Sequence, residues 1–209
     1  MVMDPKEQMI DQASELFFKN GIRSVTMNDV AEALGISKRT LYECFPNKEA
    51  LLGQCIDHHY NIYIAKRQEL ERQAQNPVDV IHRHFRHTLL RLKDHHPNFV
   101  NELKKLHPNI WNNRILDMIK ERESYTTKLI SHGIEQGYFR EETDPVIASK
   151  LLYAHVDMMS DTGAFPPDRF PRTELFRHII TGFLRSLATE KGLKEVENLF
   201  YNNKYEEYV

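Results

Sequence analysis

Apolar residues recur along this chain at intervals of three and four, and the alternation that marks a strand is nearly absent. Met9, Ile10, Ala13, Leu16 and Phe17 open the pattern. They follow Asp4-Pro5-Lys6-Glu7, which supplies an N-cap acid, a proline for the first helical position and an acid in the first turn; Gly21 can stop the helix. Thr26 and Asp29 form a second capping signal, ahead of Val30, Ala31 and Leu34 on one side, and Gly35 ends that helix after barely two turns. Ser37 caps a third helix in which Leu41 and Phe45 lie one turn apart, and Pro46 breaks it. Asn47 then caps a long fourth helix running to about Gln75, before Pro77. Further helices are predicted near 78–95, 98–106, 109–136, 145–162, 172–189 and 191–204, with breaks at Pro97, Pro108, Gly137, the Pro166-Pro167 pair and Gly192. The predicted fold class is all-α, with about nine or ten helices. A three-helix module occupies residues 1–46 and a larger helical domain residues 47–209, with no internal repeat or low-complexity linker.

Composition narrows the class. With 41% hydrophobic and 28% charged residues among 209, the chain has ordinary globular character. It has no apolar run of about 18 residues, so no membrane span is expected, and MVMDPKEQ lacks the basic-then-apolar order of a signal peptide. Cys44 and Cys55 form neither a disulfide framework nor a zinc pattern, which fits a cytoplasmic protein. Charge constrains any nucleic-acid role. In residues 1–50, Lys6, Lys19, Arg23, Lys38, Arg39 and Lys48 are outnumbered by eight acids. A basic domain is excluded, and only a local patch remains: between Ile36 and Lys48 three cations accompany one acid.

That patch falls on the two short helices. Helices of about seven residues are unstable alone, so packing must hold them, and Val30, Ala31, Leu34, Ile36, Leu41 and Phe45 supply it. Gly35 permits a left-handed turn between them. The arrangement is a helix-turn-helix, whose second helix enters the major groove N-terminus first. Arg39, Thr40, Tyr42 and Glu43 lie away from Leu41 and Phe45 on the helical wheel. Lys38 and Arg39 stand in the first turn, where the helix dipole disfavours cations and a polyanion would relieve the penalty.

The segment TMNDVAEALGISKRTLYECFPNKEALL resembles the DNA-binding region of TetR-type (tetracycline-repressor-like) transcriptional regulators. The likeness rests on the capping threonine, on VAEALG and on the SKxTLYxxFxNKExLL run. It is close over about residues 6–55 and continues downstream in helix count and in the GIEQGYFREETDP junction. The family implies an all-helical homodimer with an N-terminal DNA-binding module and a C-terminal ligand-sensing domain. By the resemblance, Thr26, Ser37 and Lys48 match phosphate-contacting positions and Tyr42 a tyrosine that braces the backbone, while Lys38, Arg39, Thr40 and Cys44 match positions that reach base edges. Arg39 departs from the glycine that many members carry, and its fork suits guanine O6 and N7.

Downstream, helix 145–162 carries Ile147, Leu151, Ala154 and Met158 on one face and Ala148, Leu152, Val156 and Met159 round to the other. Helix 172–189 spreads Leu175, Phe176, Ile179, Ile180, Phe183, Leu184 and Leu187 over about half its circumference, wider than a stripe facing only a core. These arcs predict a four-helix dimer interface using Leu152, Val156, Met159, Phe176, Ile180, Phe183, Leu184 and Leu187. Tyr63, Phe85, Phe99, Trp111, Tyr125 and Tyr153 are the candidate rings of an effector pocket, although rings at helical spacing also build ordinary cores. Of the eleven histidines, His82, His84 and His87 cannot chelate one ion from a single helix and read as solvated or stripe-edge residues; neither metal nor cofactor is expected.

The expected function is a dimeric, ligand-responsive transcriptional regulator, most simply a repressor released from a palindromic DNA operator by a small-molecule effector. An all-helical enzyme is the competing class, without a nucleophile–base pair, phosphate loop or HExxH motif to support it. An interaction protein of the same fold that has lost specific DNA binding is the third, and the acidic balance of residues 1–50 favours it.

Overall fold

The computed structural model describes residues 4–202. Helices carry the chain: α1 (Pro5–Asn20), α2 (Met27–Ala33), α3 (Lys38–Cys44), α4 (Lys48–Gln73), α5 (Pro77–Asp94), α6 (Phe99–Leu106) and the single turn α7 (Pro108–Ile110). After a π-helical turn at Trp111–Ile115 come α8 (Leu116–Glu135), α9 (Pro145–Met158), α10 (Arg172–Leu187), α11 (Glu190–Glu197) and a second π turn, Asn198–Asn202. Predicted caps form as read, Asp4 accepting from Lys6 N–H and Asn47 from Ala50 N–H, and the structure adds Asp144, which accepts from Val146 and Ile147 N–H at the start of α9. Two elements differ from expectation. The helix predicted over 109–136 is interrupted by the π turn, and α9 stops at Met158 rather than 162. The final predicted helix runs to residue 204, and its last two positions lie outside the described residues.

Packing divides the chain into two units, Met1–Lys66 with Asp94–Met118, and Arg67–Lys93 with Ile119–Val209. This line falls elsewhere than the expected boundary between residues 46 and 47. The first unit takes in the first part of α4 and the segment holding α6, whose Phe99 and Leu103 enter one core with Phe17, Ile22, Val30, Leu41, Phe45, Leu51 and Cys55. Burial pushes the Cys55 thiol up to about 12, so it serves as an apolar filler rather than a nucleophile.

The second unit is built around Phe85, Ile130, Phe139, Leu184 and Phe200, with Phe85 stacked on Phe176 at 5.6 Å. His82, expected at a stripe edge or in solvent, is instead buried, edge-on to Phe200 at 4.8 Å. Burial, aided by Arg86 and opposed by Asp79, pulls its pKa down to about 4. The sign follows. An unfolded imidazole titrates near 6.5, so acid favours the unfolded chain; the neutral ring's contribution is complete above about pH 6.5 and is lost as pH falls towards 4. Thermal midpoints recorded between pH 7 and 4.5 should therefore fall less steeply for His82→Leu than for the wild type; parallel slopes would contradict this.

Candidate nucleic-acid interface

The α2–α3 pair is fixed locally before it is packed. Thr26 and Asp29 complete a capping box: Asp29 N–H donates to the Thr26 hydroxyl at 3.3 Å, and Thr26 N–H donates to the Asp29 carboxylate at 2.7 Å. The Thr26 backbone and hydroxyl hydrogen bonds hold the Asp29 carboxyl below its ordinary range. At the other end Gly35 adopts φ +64°, its N–H donating to Glu32 O and that of Ile36 to Ala31 O, each at 3.0 Å. This paired closure is a Schellman motif, and its left-handed residue explains the glycine. The Ser37 hydroxyl then accepts from Thr40 N–H at 3.1 Å to start α3.

Leu41 and Phe45 are wholly buried, and the rest of α3 turns outward. Lys38, Arg39, Tyr42 and Glu43 are exposed, with Thr40 and Cys44 half-buried beside them. Arg39 donates through Nε to Glu43 at 2.9 Å, but its side chain remains 88% exposed. An exposed pair of this kind is worth under about 1 kcal/mol, too little to hold the guanidinium against a better acceptor. The Lys38 ammonium sits 6.0 Å from the centre of the Tyr42 ring. Ser37, Lys38, Arg39, Thr40 and Tyr42 thus share one short helix start, and Thr26 is exposed at the head of α2.

Lys48 behaves differently from a free surface cation. Its ammonium donates to the Ile22 carbonyl, and burial lowers its pKa against the opposing pull of Glu102 and Asp29. Glu102, on α6, was absent from the residues singled out in the sequence, since no motif marks it. Its carboxylate accepts from Ile22 N–H at 2.7 Å and Arg23 N–H at 2.9 Å. Beside it His96 N–H donates to Phe18 O at 2.6 Å, and Phe18 packs on His95, Phe99 and His59 with ring centres 4.1–4.8 Å away. A side chain at Gly21 would meet both Glu102 and His96 at 3.0 Å. The turn between α1 and α2 is therefore clamped by the α6 segment and by the start of α4.

The six candidate pocket rings are divided between the units. Tyr63 stacks on Tyr60, Phe99 is buried against Phe18 and Trp111 lies under Lys104, all in the first. Phe85 is core in the second, where the Tyr125 ring lies near Arg67 and His84 and the Tyr153 hydroxyl is 3.2 Å from that of Thr126.

Most of the side chains expected at a dimer interface are used by the chain's own core. Leu152, Met159, Phe176, Ile180, Leu184 and Leu187 are buried in the second unit's own core, with Val156 and Phe183 half-buried. The side left open on α9 is the other one, with Ile147 57%, Leu151 53% and Met158 45% exposed. Together with Ile179, Gly182 and Phe183 of α10, Ile147 and Leu151 line an open apolar groove. Both arcs are apolar, and periodicity alone does not say which one the core consumes.

An all-helical chain whose second and third helices form a glycine-turned pair, one side buried and the other presenting cations and hydroxyls, is a helix-turn-helix DNA-binding protein. Residues 9–55 match the bacterial regulatory proteins of the tetR family. An uncharacterised HTH-type transcriptional regulator of Bacillus subtilis, YvaF, is 33% identical over 180 residues, covering 80% of this chain and 88% of that protein. The HTH-type transcriptional repressor KstR2 of Mycobacterium tuberculosis is 24% identical over 148 residues, 69% of this chain and 74% of its own. Among solved structures, a TetR-family regulator from Agrobacterium tumefaciens superposes with a TM-score of 0.73 at 17% identity, covering 88% of this chain and 98% of that one. The chain belongs to the tetR family and is a DNA-binding transcriptional regulator.

Proposed function

We propose that this regulator is a homodimeric repressor that reads a palindromic operator through α3 and releases it when a small molecule binds the larger helical domain. The observation that carries the reading is the division of α3: Leu41 and Phe45 are sealed into the core while Lys38, Arg39 and Tyr42 stand exposed. Residues 1–46 serve as the DNA-binding module. Thr26, Ser37 and Tyr42 position the phosphate backbone, and Lys38, Arg39, Thr40 and Cys44 face the bases. Lys48 contributes charge while it also holds the Ile22 carbonyl. The name of the relative KstR2 supports repression as the mode of action. A two-fold pair of reading helices requires half-sites roughly 34–36 Å apart or a multiple, so a modest effector-driven change in their separation breaks register.

Arg39 tests the assignment. Arg39→Ala should weaken binding to a selected operator by about 1–3 kcal/mol and relax preference at one base position per half-site, with a much smaller effect on random DNA. Binding assays on both DNAs at one salt concentration decide it. An equal loss on both would make Arg39 a phosphate contact instead.

A further inference from the structure

The reading helix α3 carries a single acid, Glu43, and it stands where DNA would have to meet it. With about 100° between successive residues, Arg39 and Glu43 each lie about 160° round the helix from Leu41. Measured against both buried anchors, Leu41 and Phe45, Glu43 points most directly away from the core. Lys38 and Tyr42 fall to one side of that line and Thr40 to the other. Arg39 donates through Nε to Glu43 Oε1 at 2.9 Å, and the two side chains are 88% and 61% exposed. Helix stability does not account for the pair. A stabilising pair places the acid before the cation, whereas here the cation stands in the first turn and the acid near the end, both against the helix dipole.

The pair leaves a defined set of groups open. Nε is used on Glu43, whereas Arg39 Nη1 and Nη2 and Glu43 Oε2 have no partner among the described residues. The assembled heads offer two donors beside one acceptor. In the major groove guanine presents two acceptors, O6 and N7, and cytosine presents one amino donor, N4, which is the same pattern with opposite polarity. The heads lie 2.9 Å apart, close to the roughly 3.4 Å rise between stacked bases, so they fall on neighbouring base pairs. Elsewhere in the groove a carboxylate is costly, because guanine and thymine edges offer it no donor and the phosphates repel it. Adenine has an amino group, but beside an N7 acceptor that a carboxylate also repels.

We propose that Arg39 and Glu43 form one reading unit, Arg39 taking guanine O6 and N7 and Glu43 the N4 amino group of a cytosine in the adjoining base pair. Glu43 is then a specificity-determining residue in two ways. It orients the Arg39 fork through Nε, and it penalises DNA that lacks the cytosine. The proposal rests on the reading of α3 as the sequence reader and names what two of its residues recognise.

Selection of duplexes from a random-sequence pool by the full chain tests it, with wild type, Glu43→Ala and Glu43→Gln compared at one salt concentration and the selected sites then titrated. Glu43 is exposed, so neither variant disturbs the core. The wild type should enrich a guanine next to a cytosine in each half-site and bind about tenfold or more weakly when that cytosine is replaced. Glu43→Ala should keep the guanine and lose the cytosine preference, and Glu43→Gln should move it to adenine, which a carboxamide reads through N6 and N7. Both variants should bind random DNA about twofold or more tightly, having lost a negative charge that faces a polyanion. The same preferences at every position in wild type and Glu43→Ala, or random-DNA affinity that fails to rise in either variant, would overturn the proposal. A wild type that enriches no shared sequence defeats the reading of α3 itself, whereas a motif indifferent to Glu43 defeats this proposal alone.

Discussion

Ile147→Asp combined with Leu151→Asp is expected to give a folded monomer that has lost operator binding. Both side chains are more than half exposed, so the change removes little from the unit's own core. Across a two-fold axis each carboxylate would meet apolar surface and its own symmetry mate, an unpaired charge that an interface does not tolerate. A monomer engages one half-site and forfeits the effective concentration of the linked second head, a loss of about 10²–10⁴ in affinity. Light scattering and a DNA-binding assay read the two effects, and circular dichroism confirms the helix content. A persisting dimer would remove this groove from the assembly. Leu152→Asp, one position further on, would instead unfold the unit, because Leu152 is only 8% exposed.

Glu102→Ala should destabilise the first unit by about 2–4 kcal/mol, because two backbone N–H groups lose a charged acceptor at the turn where Ile22 is fully buried. It also removes the acid nearest in effect to the half-buried Lys48. Glu102→Gln keeps one acceptor oxygen and should recover part of the loss. Trp111, the chain's one tryptophan, packs against this unit's core and gives a fluorescence signal for its unfolding in urea. An unchanged midpoint for Glu102→Ala would show that the clamp contributes nothing, whereas operator affinity lost beyond the stability change would tie α6 to the placing of the reading helices.

The reading helix was legible because its determinants are local. Capping residues, a glycine in the left-handed turn and two apolar anchors one turn apart are all spelled within residues 26–45, and the structure realises each of them. What escaped depends on distance along the chain. Glu102 reaches Ile22 across 80 positions, and nothing near either residue announces the contact. The buried face of α9 escaped for another reason: Ile147/Leu151 and Ala148/Leu152 are both apolar, and only the packing of α9 on its neighbours decides which pair the core consumes. His82 was misplaced because imidazole tolerates both water and a core, and the Phe200 ring that encloses it lies far along the chain. The candidate rings are divided between the two units for a related reason, since helical spacing places a ring on a face without saying which unit receives it.

Selection of genomic fragments by the purified full chain bears most directly on the claim that α3 is a sequence reader. The account predicts enrichment of a pseudo-palindrome with half-sites roughly 34–36 Å apart or a multiple, and loss of that enrichment when Lys38 and Arg39 are both replaced by alanine. Fragments bound without a shared sequence, or the same palindrome recovered undiminished by the double variant, would contradict it.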